Sequence, residues 1–231
     1  MEVRSDTYRE RLRRFVEEVT VYPVSCERLA AGRTDEQWLD GVLAGGARIV
    51  QLRDKDSTDR RLLEKALYFR HRTREAGALF LVNDRVDIAM LADADGVHLG
   101  QNDLPPEEVA RLVPDMLIGI SCNSEDQTRA LGCLEKKGGL PVSYYNVGPL
   151  FPTSTKEGLA GFLGLEAVER FRRHLSIPFT VMGGIKLDHV PELVALGARR
   201  IAVVTAISEA EDIGAETGRW IDAITQSYGK R

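Results

Sequence analysis

Along this chain, short apolar runs alternate with longer stretches in which apolar residues recur every three or four positions. The runs are "VTVYPVS", "ARIVQLR", "ALFLVND", "DGVHLGQ", "LIGIS", "YYNVGPLF", "PFTVMGG" and "RIAVVTA", eight in all. Most are apolar at odd and even positions alike, the pattern of parallel strands buried on both faces. Between them the helical period predicts helices. Trp38, Leu39, Val42 and Leu43 form one stripe, opened by the capping-box pattern "TDEQ" at Thr34 to Gln37. A second box, "SEDQ", runs from Ser124 to Gln127. Val190, Leu193 and Val194 form a late stripe, and Ile213, Trp220, Ile221 and Ile224 a last one. Ahead of the first run, Tyr8, Leu12, Phe15, Val16 and Val19 share one face of an N-terminal helix.

Three segments echo one another: "AGGARIVQLRD", "EAGALFLVND" and "ALGARRIAVVT" each leave a helix through Gly-Ala and enter a strand. Glycine suits the left-handed position just past a helix end, so the echo fits βα units in series. Eight strands alternating with helices leave a closed barrel or an open doubly wound sheet. The open sheet favours a GxGxxG turn after an early strand, and none stands there. A barrel predicts functional groups at the C-terminal ends of many strands. We therefore expect an α/β fold, a (β/α)8 TIM barrel with an extra N-terminal helix. The expected division is a single domain over 1–231, with the helix in 1–19 and the barrel in 20–228. A length of 231 residues and a 43% hydrophobic content suit that core.

The strand ends carry the chemistry. The second run ends in "QLRDK", Gln51 to Lys55; the third in "NDR", with Asn83 and Asp84; the fourth leads into Gln101, Asn102 and Asp103. The fifth ends in "SCNS" from Ser121, and the sixth in "PTSTKEG", with Thr153, Ser154, Thr155 and Lys156. The seventh ends at Gly183, Gly184 and Ile185, the eighth around Val204 and Thr205. Asp84 and Asp103 are hard oxygen ligands of the kind that hold Mg²⁺ together with substrate phosphate oxygens. Arg53, Lys55 and Lys156 supply cations. Glycines and hydroxyls on runs six to eight let backbone amides approach a phosphate, and the loops after strands seven and eight are the usual phosphate site of such barrels. The grouping predicts two anion sites, a metal-bound diphosphate and a monophosphate. It points to displacement of diphosphate at carbon. Arg53, Lys55, Ser121 and Lys156 are the candidates for catalytic work.

The formal net charge of -4 gives no reason to expect nucleic acid or an anionic membrane as partner. The charged N-terminus lacks a signal-peptide core, and no apolar run reaches the ~18 residues of a membrane span. Cys26, Cys122 and Cys133 are too few and scattered for a disulfide framework. A cytoplasmic enzyme with reduced thiols is the expectation, and a homo-oligomer is compatible with it. Cys122 reads as a small buried filler, and His98, on the fourth run, as a satisfied core position.

Together "VQLRDK", "NDRVDIAM", "DGVHLGQNDLP", "VGPLFPTSTKEG", "MGGI" and "VVTAI", spanning residues 50–207 in order, resemble the thiamine-phosphate synthase family. The resemblance implies a (β/α)8 barrel that joins 4-amino-2-methyl-5-hydroxymethylpyrimidine diphosphate to a thiazole phosphate. It implies that Gln51, Leu52, Arg53, Asp54, Lys55, Asn83, Ser121 and Lys156 bind the pyrimidine diphosphate, and that Asp84 and Asp103 hold Mg²⁺. Thr153, Ser154, Thr155, Gly184, Val204 and Thr205 would hold the thiazole phosphate. It also implies a dissociative reaction, in which the C–O bond breaks first and the thiazole nitrogen captures a pyrimidine carbocation. Three features depart from the family pattern: Cys122 and Asn123 after the fifth run, Thr205 in place of a serine, and the lead "LEKKGGLPVSYYN" into the sixth. Two rivals are a thiazole tautomerase on the same barrel and a non-catalytic binder of phosphorylated ligands. The first would want a histidine near Asn123; the second could dispense with Asp84 and Asp103.

Overall fold

The computed structural model describes residues 5–153 and 161–229. Eight parallel strands form one sheet: β1 (Val21–Pro23), β2 (Ile49–Leu52), β3 (Leu79–Asn83), β4 (Gly96–Leu99), β5 (Leu117–Cys122), β6 (Tyr144–Val147), β7 (Phe179–Val181) and β8 (Ile201–Val203). Each falls on one of the eight apolar runs, with β5 reaching one residue past its run to Cys122. The hydrogen-bonded order is β1-β8-β7-β6-β5-β4-β3-β2. The two ends meet through a bridge between Val24 and Gln51, so the sheet closes on itself as the expected TIM barrel.

Helices alternate with the strands: α1 (Asp6–Glu17), α2 (Asp35–Ala44), α3 (Asp59–Ala76), α4 (Val86–Leu91), α5 (Pro106–Leu112), α6 (Glu125–Lys136), α7 (Glu166–Arg172), α8 (Val190–Ala195), α9 (Thr205–Ser208) and α10 (Ile213–Gly229). Both predicted capping boxes form, Thr34 with Gln37 at α2 and Ser124 with Gln127 at α6. The echoing glycines Gly46, Gly77 and Gly197 all take positive φ, as a turn out of a helix requires. Among the described residues no helix is long and apolar enough to cross a membrane.

Strand side chains alternate between two cores. One lies between strands and helices and includes Val50, Leu52, Phe80, Val82, Ile118, Cys122 and Tyr145. The other fills the barrel interior with Tyr22, Ile49, Leu79, Leu81, Leu117, Tyr144 and Ala202. The parity decides which residues of a strand can reach a site on the barrel axis.

The N-terminal helix closes the bottom of the barrel. Phe15 is fully buried, its ring 4.5 Å from that of Tyr144. Tyr8 donates its hydroxyl to Ser143 Oγ at 3.1 Å. Arg200, just before β8, donates to the Phe15 carbonyl at 2.7 Å, and Arg11 pairs with Asp95 at 3.1 Å. Val16, expected on the buried stripe, is 41% exposed. It follows Phe15 by one position, about 100° around the helix, and so turns away from the barrel mouth.

Candidate active site

Parallel strands all end on the same side, so their C-terminal loops converge. They enclose a cavity of about 290 Å³ that the last inward residue of nearly every strand helps to line.

One bank comes from β2, β3 and β4. Gln51, Arg53, Lys55, Asn83, Asp84, Gln101, Asn102 and Asp103 all line it. Asp84 sits at φ +61, a conformation that costs a non-glycine residue and that often marks functional sites. Its amide donates to the His98 carbonyl at 2.8 Å, which pins the turn to β4. Lys55 Nζ lies 3.1 Å from Asp84 Oδ2. Asp103 Oδ2 accepts the Gly100 amide at 2.6 Å. Burial, reinforced by the Asp84 charge, raises Asp103 above the usual carboxylate range, against the opposing pull of Gly100 N–H and Lys55. Arg85 does not pair with Asp84. Its guanidinium takes Asp59 at 2.7 Å and Asp87 at 2.6 Å, so Asp84 is not half of a surface ion pair with its neighbour.

The opposite bank comes from β6, β7 and β8. Thr153, Gly183, Gly184, Val204 and Thr205 line it. The loops are joined by backbone: Leu150 N–H donates to Met182 O and Phe151 N–H to Gly183 O, each at 3.0 Å. Gly184 has φ +62, and a Cβ there would stand 2.3 Å from the Pro152 carbonyl oxygen. Only glycine permits both the conformation and the approach of the two loops. At the start of α9, Thr205 and its neighbours leave amides without intrahelical acceptors.

The floor is polar. Gln51 Nε2 donates to Tyr22 OH at 2.8 Å, Tyr22 OH meets Tyr144 OH at 3.1 Å, and Tyr144 OH meets His98 Nδ1 at 2.9 Å. His98 Nε2 then contacts Ser121 Oγ at 3.0 Å. Beside this chain, Ser121, Asn146 and Thr180 stand in register on adjacent strands, and Thr180 donates to Asn146 Oδ1 at 2.8 Å. Apart from Gln51 and Ser121, none of these is a site residue by the sequence pattern, which makes His98 a core position. Each is the polar residue of its strand on the inward parity, which is the signal that would have found them.

The structure thus brings together Gln51, Arg53, Lys55, Asn83, Asp84, Asp103, Ser121, Thr153, Gly184, Val204 and Thr205. Two residues of the "QLRDK" segment depart from the expectation. Leu52 is on the outward parity and packs into the outer core. Asp54 turns to Lys65 on α3, 2.6 Å away. Ser154, Thr155 and Lys156 lie outside the described residues. Cys122 is also outward and buried, and burial pushes its thiol up to about 12, so the filler role holds. Asn123 lines the cavity and donates its amide to the Gly148 carbonyl at 2.5 Å.

A second acidic group, Glu27, Asp35 and Asp54, brings three carboxylate oxygens within 4.8 Å of one another. Lys65 Nζ bonds all three, so an ammonium already stands where a cation would bind.

A family model described as thiamine monophosphate synthase matches residues 21–207. The chain belongs to that family. Thiamine-phosphate synthase of Pelotomaculum thermopropionicum is 42% identical over 200 residues, 86% of this chain and 89% of that one. The corresponding enzyme of Chloroflexus aurantiacus is 38% identical, over 84% of this chain and 88% of its own. A solved structure of thiamine phosphate pyrophosphorylase from Pyrococcus furiosus superposes with a TM-score of 0.80 at 33% identity, covering 90% of this chain and 96% of that one. These thiamine-phosphate synthases are transferases, and the bank carrying Asp84 and the bank carrying Gly184 both fall within the matched region.

Proposed function

We propose that this family member couples 4-amino-2-methyl-5-hydroxymethylpyrimidine diphosphate to a thiazole phosphate, releasing diphosphate and forming thiamine phosphate in the cytoplasm. The observation that carries the reading is the pair of opposed banks on one cavity: two carboxylates with cations on one side, amides and hydroxyls on the other.

The chemistry of the donors fits Mg²⁺. Asp84 and Asp103 line the same bank, and burial together with the Asp84 charge holds the pKa of Asp103 above the usual carboxylate range. A divalent cation between them would relieve the repulsion, as hard oxygen ligands favour. When bound, Mg²⁺ neutralises charge on the diphosphate and makes it a better leaving group.

Arg53 and Lys55 face the same bank and complete the neutralisation. A cation ~4 Å from a phosphate oxygen gains about 4 kcal/mol at an effective dielectric of 20, before desolvation. Lys156, assigned from the family motif, would act on the same charge. Gln51 and Ser121 are held by the floor chain through Tyr22 and His98, which suits them to orient the pyrimidine. Gly184, Thr153, Val204 and Thr205 would hold the thiazole phosphate. No residue need act as nucleophile; the protein positions two substrates and stabilises a departing group. The tautomerase reading is weaker, because Asn123 offers no imidazole and spends its amide on Gly148.

The test mixes the protein with both substrates and Mg²⁺ and follows diphosphate release. Turnover that needs all three components is the expected result. Its absence with folded protein rejects the reading.

A further inference from the structure

Lys65 lies on α3, in the outer layer of the barrel and away from the cavity, yet its side chain is only 4% exposed. Its ammonium meets Asp35 Oδ2 at 2.8 Å, Asp54 Oδ2 at 2.6 Å and the carboxylate of Glu27. An ammonium has three N–H donors, and three carboxylates take them. The acids come from three segments: Glu27 from the turn after β1, Asp35 from the first turn of α2, and Asp54 from the loop after β2. Asp54 also folds its own loop. Its Oδ1 accepts the Asp56 and Ser57 amides at 3.0 and 2.9 Å, and its Oδ2 the Ser57 hydroxyl at 2.6 Å. Burial opposes the charge of Asp54, but Lys65 and Ser57 outweigh it and hold the carboxyl below the usual range. The residues on either side of Asp54 are Arg53 and Lys55, and both line the cavity.

The place of this cluster in the ring gives it a second meaning. Adjacent strands pair in register from β2 round to β8 and β1. The closing seam between β1 and β2 has one isolated bridge, Val24 to Gln51. Just above it, Ser25 N–H donates to Gln51 O at 2.9 Å and Arg53 N–H to Ser25 Oγ at 3.0 Å. Arg53 Nη1 also donates to Cys26 Sγ at 4.0 Å, and farther out Lys65 ties the seam again, holding Glu27 on the β1 side and Asp54 on the β2 side.

We infer that Lys65 is a positioning residue for the reaction: it clamps the loops after β1 and β2 across the seam where the barrel closes and so aims Arg53 and Lys55 into the cavity. The inference rests on the proposed assignment of Arg53 and Lys55 to the pyrimidine diphosphate. It separates the two banks. The ties of the Gly184 bank run through Met182, Gly183 and Pro152, none of which touches the Lys65 cluster. Loss of the clamp should therefore weaken one substrate and spare the other.

The experiment measures steady-state kinetics with each substrate varied in turn, in Lys65→Gln, Lys65→Arg, Glu27→Gln and Arg53→Ala. For Lys65→Gln the expected result is a rise of about tenfold or more in KM for the pyrimidine diphosphate, with KM for the thiazole phosphate within about twofold of the parent. Lys65→Arg, which keeps the charge and the donors, should recover most of that loss. Should Lys65→Gln fail to fold, Glu27→Gln decides. It removes one acid, leaves the other two on Lys65, and should raise the same single KM by about threefold. Equal rises in both KM values, or no rise in either, overturn the clamp. Arg53→Ala tells the two failures apart. If it too leaves the pyrimidine diphosphate KM unmoved, the assignment of Arg53 falls as well. If Arg53→Ala raises it and Lys65→Gln does not, the clamp alone falls.

Discussion

The molecule gathers carboxylates around a lysine in two places, and the two behave oppositely. Around Lys65, three acids surround a buried ammonium. Burial pushes Asp35 up to about 6, while Asp54 is pulled below its usual range by the hydrogen bonds it accepts. Around Lys55, two acids face a half-open cavity, and the lysine touching Asp84 is 57% exposed. The first cluster is closed, because the Lys65 ammonium fills its centre and bonds all three acids. The second is under-neutralised, because Asp84 and Asp103 share one bank and the exposed Lys55 pairs with Asp84 alone. An acidic cluster is therefore a metal site only where its centre is open. The cluster with three acids within 4.8 Å is closed around an ammonium, and the pair on the cavity rim is the one proposed above for the metal.

The largest expected effect tests the open pair. Asp84→Ala should lower kcat/KM by about 10³-fold, an order of magnitude typical of losing a group that stabilises developing charge, with the far-UV circular dichroism unchanged. Turnover within tenfold of the parent would remove Asp84 from the metal. The closed cluster should show a stability loss as well, beside its effect on one KM. Lys65→Met leaves three acids facing one another and should cost about 3 kcal/mol or more in urea unfolding, whereas Asp103→Asn should stay within about 0.5 kcal/mol. Similar losses in the two variants would erase the distinction drawn above.

A smaller effect concerns pH. Asp103 has a raised pKa, so its proton returns at a higher pH than on an ordinary carboxylate. As pH falls through that range the proton competes with Mg²⁺, and the apparent affinity for the metal should decline. Asp84→Asn removes the like charge and should move the decline to lower pH. A metal titration at stepped pH reads both, and an unshifted midpoint in the variant would assign the raised pKa to burial alone. On the other bank, Gly184→Ala places a methyl against Pro152 O in a left-handed conformation. It should cost about 1–2 kcal/mol of stability and raise KM for the thiazole phosphate more than for the pyrimidine diphosphate. Last, Cys122→Ala should leave kcat within about twofold of the parent, since the thiol faces the outer core and lies far from ionising.

Much of this was legible before any coordinates. The eight strands announced themselves because strands buried on both faces are apolar throughout, and the rim residues because polar groups recur at one end of those strands. Three things were not legible. Taking "QLRDK" as one binding segment ignored that neighbouring strand residues point to opposite sides, which sends Leu52 outward. Asp54 has its partner eleven positions away on the next helix, and nothing local distinguishes it from Arg53 or Lys55. The floor residues Tyr22, Asn146 and Thr180 look like ordinary members of apolar runs until the barrel closes and brings them to one axis.

One consequence concerns the first helix. The match to the family begins at residue 21, so α1 precedes it. Phe15 nevertheless rests on the Tyr144 ring, and the far side of that same tyrosine holds His98, which in turn reaches Ser121. The stopper in the base is thus two side chains from the reaction chamber. A shortened version trimmed to the shared barrel would lose the support beneath its floor, and damage done at one pole would be felt at the other.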